Sequence, residues 1–334
     1  MARHGALIEA GARDTFASSA AGSLAGAQPR TGPASGGTKL AALLPLALSC
    51  LVFEGCVGMP AGLSIATTAP NGAAERIPAT VSKPEGAGPF PAVVILHDCS
   101  GLGPSSSGAP DRWAKELVGQ GYVVLIPDSF TTRGHPGGVC TDPSPSRTQV
   151  APPRRVADAY AALAYVRTLP YVDGARVGLL GGSHGGTTTL ASMRASASDA
   201  EPFAPEKHAG YAAAVALYPG CAPGGGYRPV APVLILIGEK DDWSPAEPCR
   251  TLADAAQAAG YPVTIKIYPD AYHAFDSDRP VRYLPARVNA NSPTGRGATT
   301  GGDPTAWADA IREVNAFFGR YLNGSGARRE DRSP

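Results

Sequence analysis

Three residues could together carry out a nucleophilic substitution at a carbonyl: Ser183, Asp241 and His273. A serine hydroxyl is a weak nucleophile at neutral pH. It needs a neighbouring base to take its proton, and that base needs a third group to hold it in the right tautomer. Ser183 lies at the centre of Gly181-Gly182-Ser183-His184-Gly185, a G-x-S-x-G run. Asp241 lies in Gly238-Glu239-Lys240-Asp241-Asp242-Trp243-Ser244-Pro245, with Asp242 as the fallback acid. His273 lies in Pro269-Asp270-Ala271-Tyr272-His273-Ala274-Phe275.

The flanking elements must bring these residues together. Val177–Leu180 precedes the serine as an apolar run of strand length, and Thr187–Met193 can follow as a helix. In a strand–turn–helix setting the run around Ser183 is a nucleophile elbow, where Gly181 and Gly185 fit because a Cβ would crowd the turn. Val233–Ile237 leads to the acid and Val263–Tyr268 to the histidine, each a short buried-strand run. Ala92–Leu96, Tyr122–Ile126 and Ala212–Tyr218 read the same way, Arg76–Lys83 reads as an edge strand and 276–302 as a long loop, and helical segments over 111–119, 154–168 and 245–260, the last capped by Ser244, alternate with them. The chain order Ser, Asp, His is that of the α/β-hydrolase fold. The fold class expected is therefore α/β, with a mostly parallel central sheet flanked by helices on both faces.

The ends of the chain read differently. Residues 1–38 are small and polar with no apolar periodicity, which suggests a disordered extension. Within 39–58, Lys39 precedes fourteen mostly apolar residues. That suits a signal-like segment and is short for a membrane span. Neither Cys50 nor Cys56 follows a good lipobox. Residues 59–74 read as a linker, 75–323 as the hydrolase domain and 324–334 as a disordered tail. A net charge of +1 gives no reason to expect a nucleic-acid partner. Any membrane association is expected only through an N-terminal anchor.

Five stretches together resemble the dienelactone hydrolase family: Gly88–His97, Gly121–Phe130, Gly181–Gly186, Gly238–Pro245 and Tyr268–Phe275. The resemblance spans about Ile77 to Leu322 and identifies this chain as a serine-nucleophile variant, since the founding enzymes use cysteine. It implies hydrolysis of a small-molecule ester or lactone with Ser183 as nucleophile, His273 as base and Asp241 as acid. It also implies an oxyanion hole formed by the backbone N–H groups of Cys99 and His184. No cofactor and no metal are implied, and His97, His135 and His184 have no ligand-type spacing. Asp98 and Arg133 are candidates for substrate contact. The founders bind a substrate carboxylate with two arginines, for which Arg133 and Arg279 are the nearest candidates, both off the family spacing. A peptidase or amidase on the same fold, or a non-catalytic binding protein, remains the alternative.

Four cysteines fall in the domain, and sequence alone allows three pairings. Cys99 and Cys140 both follow early strands, while Cys221 and Cys249 flank later ones, so the pairs Cys99–Cys140 and Cys221–Cys249 are expected. With the signal-like segment they point to an exported protein, periplasmic or secreted.

Overall fold

A computed structural model describes residues 62–194, 210–222 and 226–323. The signal-like segment with Cys50 and Cys56, and the tail 324–334, lie outside the described residues. The elements are β1 (Ser64–Thr68), β2 (Ala74–Ser82), β3 (Phe90–Leu96), α1 (Ala109–Gly119), β4 (Val123–Pro127), α2 (Pro152–Val166), β5 (Val172–Gly182), α3 (His184–Ser192), β6 (Ala213–Leu217), β7 (Val233–Gly238), α4 (Ala246–Ala258), β8 (Val263–Tyr268), β9 (Arg282–Val288), β10 (Arg296–Thr300) and α5 (Pro304–Phe318).

Eight strands form one sheet in the order β1-β2-β4-β3-β5-β6-β7-β8. The first two pairings are antiparallel and all the others parallel. Every residue of β4, β6 and β7 is buried, as parallel strands covered on both sides must be. Strand alternation along β5 shows the two covers. A Cβ on Gly178 would meet Phe318 of α5 at 2.8 Å, whereas one on Gly181 would meet Thr189 of α3 at 2.6 Å. On one face α1 and α5 meet through an edge-to-face pair of Trp113 and Trp307, 4.6 Å apart. On the other, α2 packs on α3.

Four local expectations are corrected. The stretch read as a linker contains β1, whose Ile65 is buried in the core. β1 covers the outer side of β2, so the edge strand expected near Arg76 is an inner one. The segment 276–302, read as a loop, folds into the antiparallel ribbon β9–β10. Pro285 obscured this from the sequence, but a two-stranded ribbon tolerates a proline on its free side. At the start of α4 the expected Ser244 cap is absent. Pro245 occupies the cap position, and Asp241 Oδ1 instead accepts from the backbone N–H groups of Trp243 and Ser244. Asp303 does cap α5, accepting from Thr305 and Ala306 N–H.

Candidate active site

The carboxyl ends of β3, β5, β7 and β8 converge on Ser183. The turn from β5 into α3 is sharp enough that a Cβ on Gly185 would lie 2.1 Å from the Leu96 carbonyl oxygen, and one on Gly181 2.4 Å from that of Gly185. Only glycine fits either place. Ser183 itself has φ 52°, a left-handed backbone that L residues rarely adopt, held by its N–H donating to Leu217 O at 2.9 Å. The three described non-glycine residues with positive φ are Ser183, Tyr218 and Ala274, and all three line one cavity. Backbone strain is thus concentrated around the serine.

Ser183 Oγ lies 2.8 Å from His273 Nε2, and His273 Nδ1 lies 2.8 Å from Asp241 Oδ2. Asp241 and His273 are 4% and 2% exposed, so the chain of hydrogen bonds is shielded from water. The other carboxylate oxygen, Oδ1, accepts from Trp243 N–H (2.9 Å) and Ser244 N–H (2.7 Å), which fixes the plane of the carboxylate. The rings of Tyr218 and Trp243 each lie 4.8 Å from the His273 ring and hold its tilt. Asp242 points elsewhere. Its carboxylate accepts from Thr299 N–H (2.7 Å) and Oγ1 (2.8 Å), and it anchors β10.

Cys99 and His184, the residues expected to supply oxyanion donors, border Ser183 on the same face. His184 opens α3, where first-turn N–H groups have no acceptor within the helix. Cys99 is held by its disulfide to Cys140 and by Val139 N–H donating to its carbonyl at 2.7 Å. The second expected disulfide, Cys221–Cys249, is also formed. Asp98, Cys99 and Cys140 lie close enough to suggest a metal cluster, but both sulfurs are in the disulfide and offer no thiolate.

Behind the elbow lies a buried cation. Arg155 is fully buried and its Nη1 donates to His184 Nδ1 at 2.9 Å. Burial pulls its guanidinium down to about 10, so it keeps its charge at neutral pH. Burial, then the charge of Arg155, holds His184 well below the usual histidine range. Its ring is therefore neutral with the proton on Nε2. His97 is neutral for the same two reasons. It donates from Nδ1 to Asp98 O, and Ser129 N–H donates to its Nε2.

The two candidates for substrate contact separate. Asp98 is buried and lines the cavity, accepting from Ser100 N–H, Ser100 Oγ and Ser107 Oγ at 2.5–2.6 Å. Arg133 is not there. Its side chain is buried near the β2 end of the sheet, where its guanidinium binds Asp158 (2.6 Å) and Glu75 (2.8 Å). An arginine with two carboxylates already in bidentate range has no free donor face for a substrate. Its structural use stands in place of the binding role expected of it.

The arginines that do line the cavity are Arg279, Arg282 and Arg287. Arg282 and Arg287 were not legible as site residues, because they belong to the ribbon that read as a loop. The usable signal was their position, within fifteen residues after His273. Arg287 stacks on Trp243, 5.4 Å from the ring centroid. Burial lowers its pKa while the Asp98 carboxylate opposes that shift.

Ser183 stands between two spaces. One, of about 60 Å³, is lined by His273, Ala274, Asp98 and the three arginines. The other, an open groove of about 400 Å³, runs past His184, Thr187, the Cys99–Cys140 pair, Val288 and Ala290.

Comparison with known proteins agrees with this fold. The model of the dienelactone hydrolase family matches residues 77–322. A protein of Methylorubrum extorquens strain AM1 named "Putative carboxymethylenebutenolidase" is 26% identical over 218 residues, 60% of this chain and 69% of its own. Among solved structures, a "Putative Dienelactone Hydrolase" from Klebsiella pneumoniae subsp. pneumoniae MGH 78578 superposes with TM-score 0.54 and 22% identity, covering 78% of this chain and 99% of its own. The apo form of Thermogutta terrifontis esterase 2 gives 0.53 and 19%, covering 78% and 94%. At these identities the two structures speak for the fold alone.

Proposed function

This chain belongs to the dienelactone hydrolase family, and we propose that it hydrolyses a small ester or lactone through an acyl-enzyme on Ser183. As a carboxylic ester hydrolase it needs a nucleophile, a base and a site for the developing negative charge. The observation that carries the reading is the hydrogen-bonded chain Ser183 Oγ, His273 Nε2, His273 Nδ1, Asp241 Oδ2, with 2.8 Å at both links.

An ionised Asp241 accepts only, so the Nδ1 proton of His273 faces it and the Nε2 lone pair faces Ser183. His273 takes the hydroxyl proton as Oγ bonds to the carbonyl carbon. The backbone N–H groups of Cys99 and His184 receive the oxyanion. When the tetrahedral intermediate collapses, the carbon–oxygen bond to the alcohol breaks and His273 Nε2–H protonates the leaving oxygen. A water then gives its proton to His273 and attacks the acyl carbon, releasing the acid and restoring Ser183. The buried charge of Arg155 behind His184 favours the step that builds negative charge. Arg279, Arg282 and Arg287 line the polar side of the small cavity, with Asp98 and its serines shaping the wall. The two disulfides favour an exported protein, since such bonds persist in oxidising compartments.

A fluorophosphonate probe and p-nitrophenyl acetate test this reading. The wild-type chain is expected to label and to turn over the ester, and Ser183→Ala to do neither. Equal labelling of both would remove Ser183 from the mechanism. Turnover of an aminoacyl-p-nitroanilide above that of the ester would favour a peptidase.

A further inference from the structure

We propose that the groove beside His184 is the acyl subsite, so that the natural substrate is an open-chain ester of an extended aliphatic or arylalkanoic acid with a small alcohol. The assignment rests on the hydrolase reading above and adds to it which end of the substrate lies where.

The direction comes from His273. Its Nε2 is the group that must protonate the leaving oxygen, so the alcohol departs on the histidine's side of Ser183. His273, Ala274 and Ser277 line the small cavity, and none of them lines the groove. The remaining substituent of the tetrahedral carbon, the acyl chain, must leave the serine on the other side. That side is the groove, which starts at Ser183 and continues along the first turn of α3.

Size supports the same allocation. A volume of about 400 Å³ falls within the range of roughly 300–1,000 Å³ that holds drug-sized ligands. The small cavity, at about 60 Å³, can take only a few heavy atoms. A compact lactone would use the cavity and leave the groove unfilled. An ester with a long acid and a short alcohol fills both.

The walls suit such a chain. Trp243, Val288, Ala290 and the Cys99–Cys140 disulfide offer apolar surface, and Arg147 and Asn291 sit at the polar margin. The walls are also tied together. Val288 N–H at the end of β9 donates to Cys140 O at 2.9 Å, and the disulfide joins Cys140 to the loop after β3. Trp243 Nε1–H donates to Val288 O at 2.9 Å and closes the third side. The groove is thus a built, cross-braced channel.

The test is a pH-stat comparison of two ester series on the full chain. In the first, the alcohol is methanol and the acid runs through acetic, butanoic, hexanoic and 3-phenylpropanoic. In the second, the acid is acetic and the alcohol lengthens from methyl to hexyl. Each methylene removed from water contributes up to about fourfold in kcat/KM. The first series is expected to rise at least tenfold from acetate to hexanoate, and the second to stay flat or fall. Ala290→Trp, at an exposed position on the groove, is expected to cut the hexanoate-to-acetate ratio at least threefold. A flat first series, a rising second series, or a ratio unaltered by Ala290→Trp would overturn the assignment. A wild type that hydrolyses none of these esters, or a Ser183→Ala variant that hydrolyses them equally well, would instead refute the hydrolase reading and the groove assignment with it.

Discussion

Replacing Asp241 by asparagine tests the orientation argument directly. In the native site Oδ1 accepts from two backbone N–H groups, at 2.9 and 2.7 Å, and Oδ2 faces His273 Nδ1 at 2.8 Å. An asparagine that keeps its oxygen on the two amides must turn its NH₂ group toward His273. That group can only donate, so Nδ1 becomes an acceptor and the imidazole proton moves to Nε2. Nε2 then presents a hydrogen, not a lone pair, to Ser183, and the base is lost. In a serine hydrolase the wrong tautomer lowers kcat about 10⁴-fold, which corresponds to about 5.5 kcal/mol. The amide could escape by flipping, but it would leave the two backbone donors unpaired. Each such loss costs about 1 kcal/mol or more, so the flipped form still reduces the rate at least about 30-fold. The expected fall in kcat for p-nitrophenyl acetate therefore lies between about 30-fold and 10⁴-fold, with an unchanged circular dichroism spectrum. Asp242→Asn, whose native carboxylate binds Thr299 and not His273, should stay within about threefold of wild type. Activity of Asp241→Asn within tenfold of wild type, or a larger loss from Asp242→Asn, would refute the reasoning.

Two further outcomes follow from the described geometry. The disulfides close loops of sequence separation 41 and 28, which in the chain-entropy treatment correspond to about 4 kcal/mol each. The Cys221→Ser/Cys249→Ser protein should accordingly show a lower urea midpoint, with a slope equal to or steeper than that of wild type because its denatured chain is no longer cross-linked; an unchanged midpoint would show that this bridge contributes nothing to stability. His97 and His184 are held neutral in the fold by burial and by Arg155, below their ordinary value of 6.5. Below that pH the unfolded chain binds two protons that the folded chain does not. The sign is therefore a loss of stability as pH falls from about 6.5, with a slope of up to about 2.7 kcal/mol per pH unit. Chemical denaturation at pH 7.5, 6 and 5 measures it, and a stability that is flat across this range would contradict the buried neutral pair.

The parts of the site that were legible in the sequence are those set by short-range rules. A strand, a turn that only glycine can make, and a helix place Ser183 from its immediate neighbours along the chain, and the same β–loop logic places Asp241 and His273 after β7 and β8. The apolar runs of β3, β4, β6 and β7 declared a buried parallel sheet because nothing polar interrupts them. Misreadings arose where local pattern and long-range packing disagree. Arg133 and Arg282 are the same residue type in equally polar loops. What separates them is that Glu75 and Asp158, distant in sequence, meet the first, while β10 pairs with β9 and turns its ribbon toward the cavity.

By itself the sequence determined the order of the three candidate triad residues and the elements that carry them, and from the cysteine positions it favoured, among three possible pairings, Cys99–Cys140 and Cys221–Cys249. Each follows from residue type and neighbours along the chain. Only the tertiary structure decided that Asp241 and not Asp242 meets His273, that β1 joins the sheet, and that Arg279, Arg282 and Arg287 surround the small cavity while the groove opens on the other side of Ser183. The physical reason is that the shape of a cavity belongs to surfaces from β3, α3, β7 and β9 at once. No local propensity in any one of these elements specifies where the others will face.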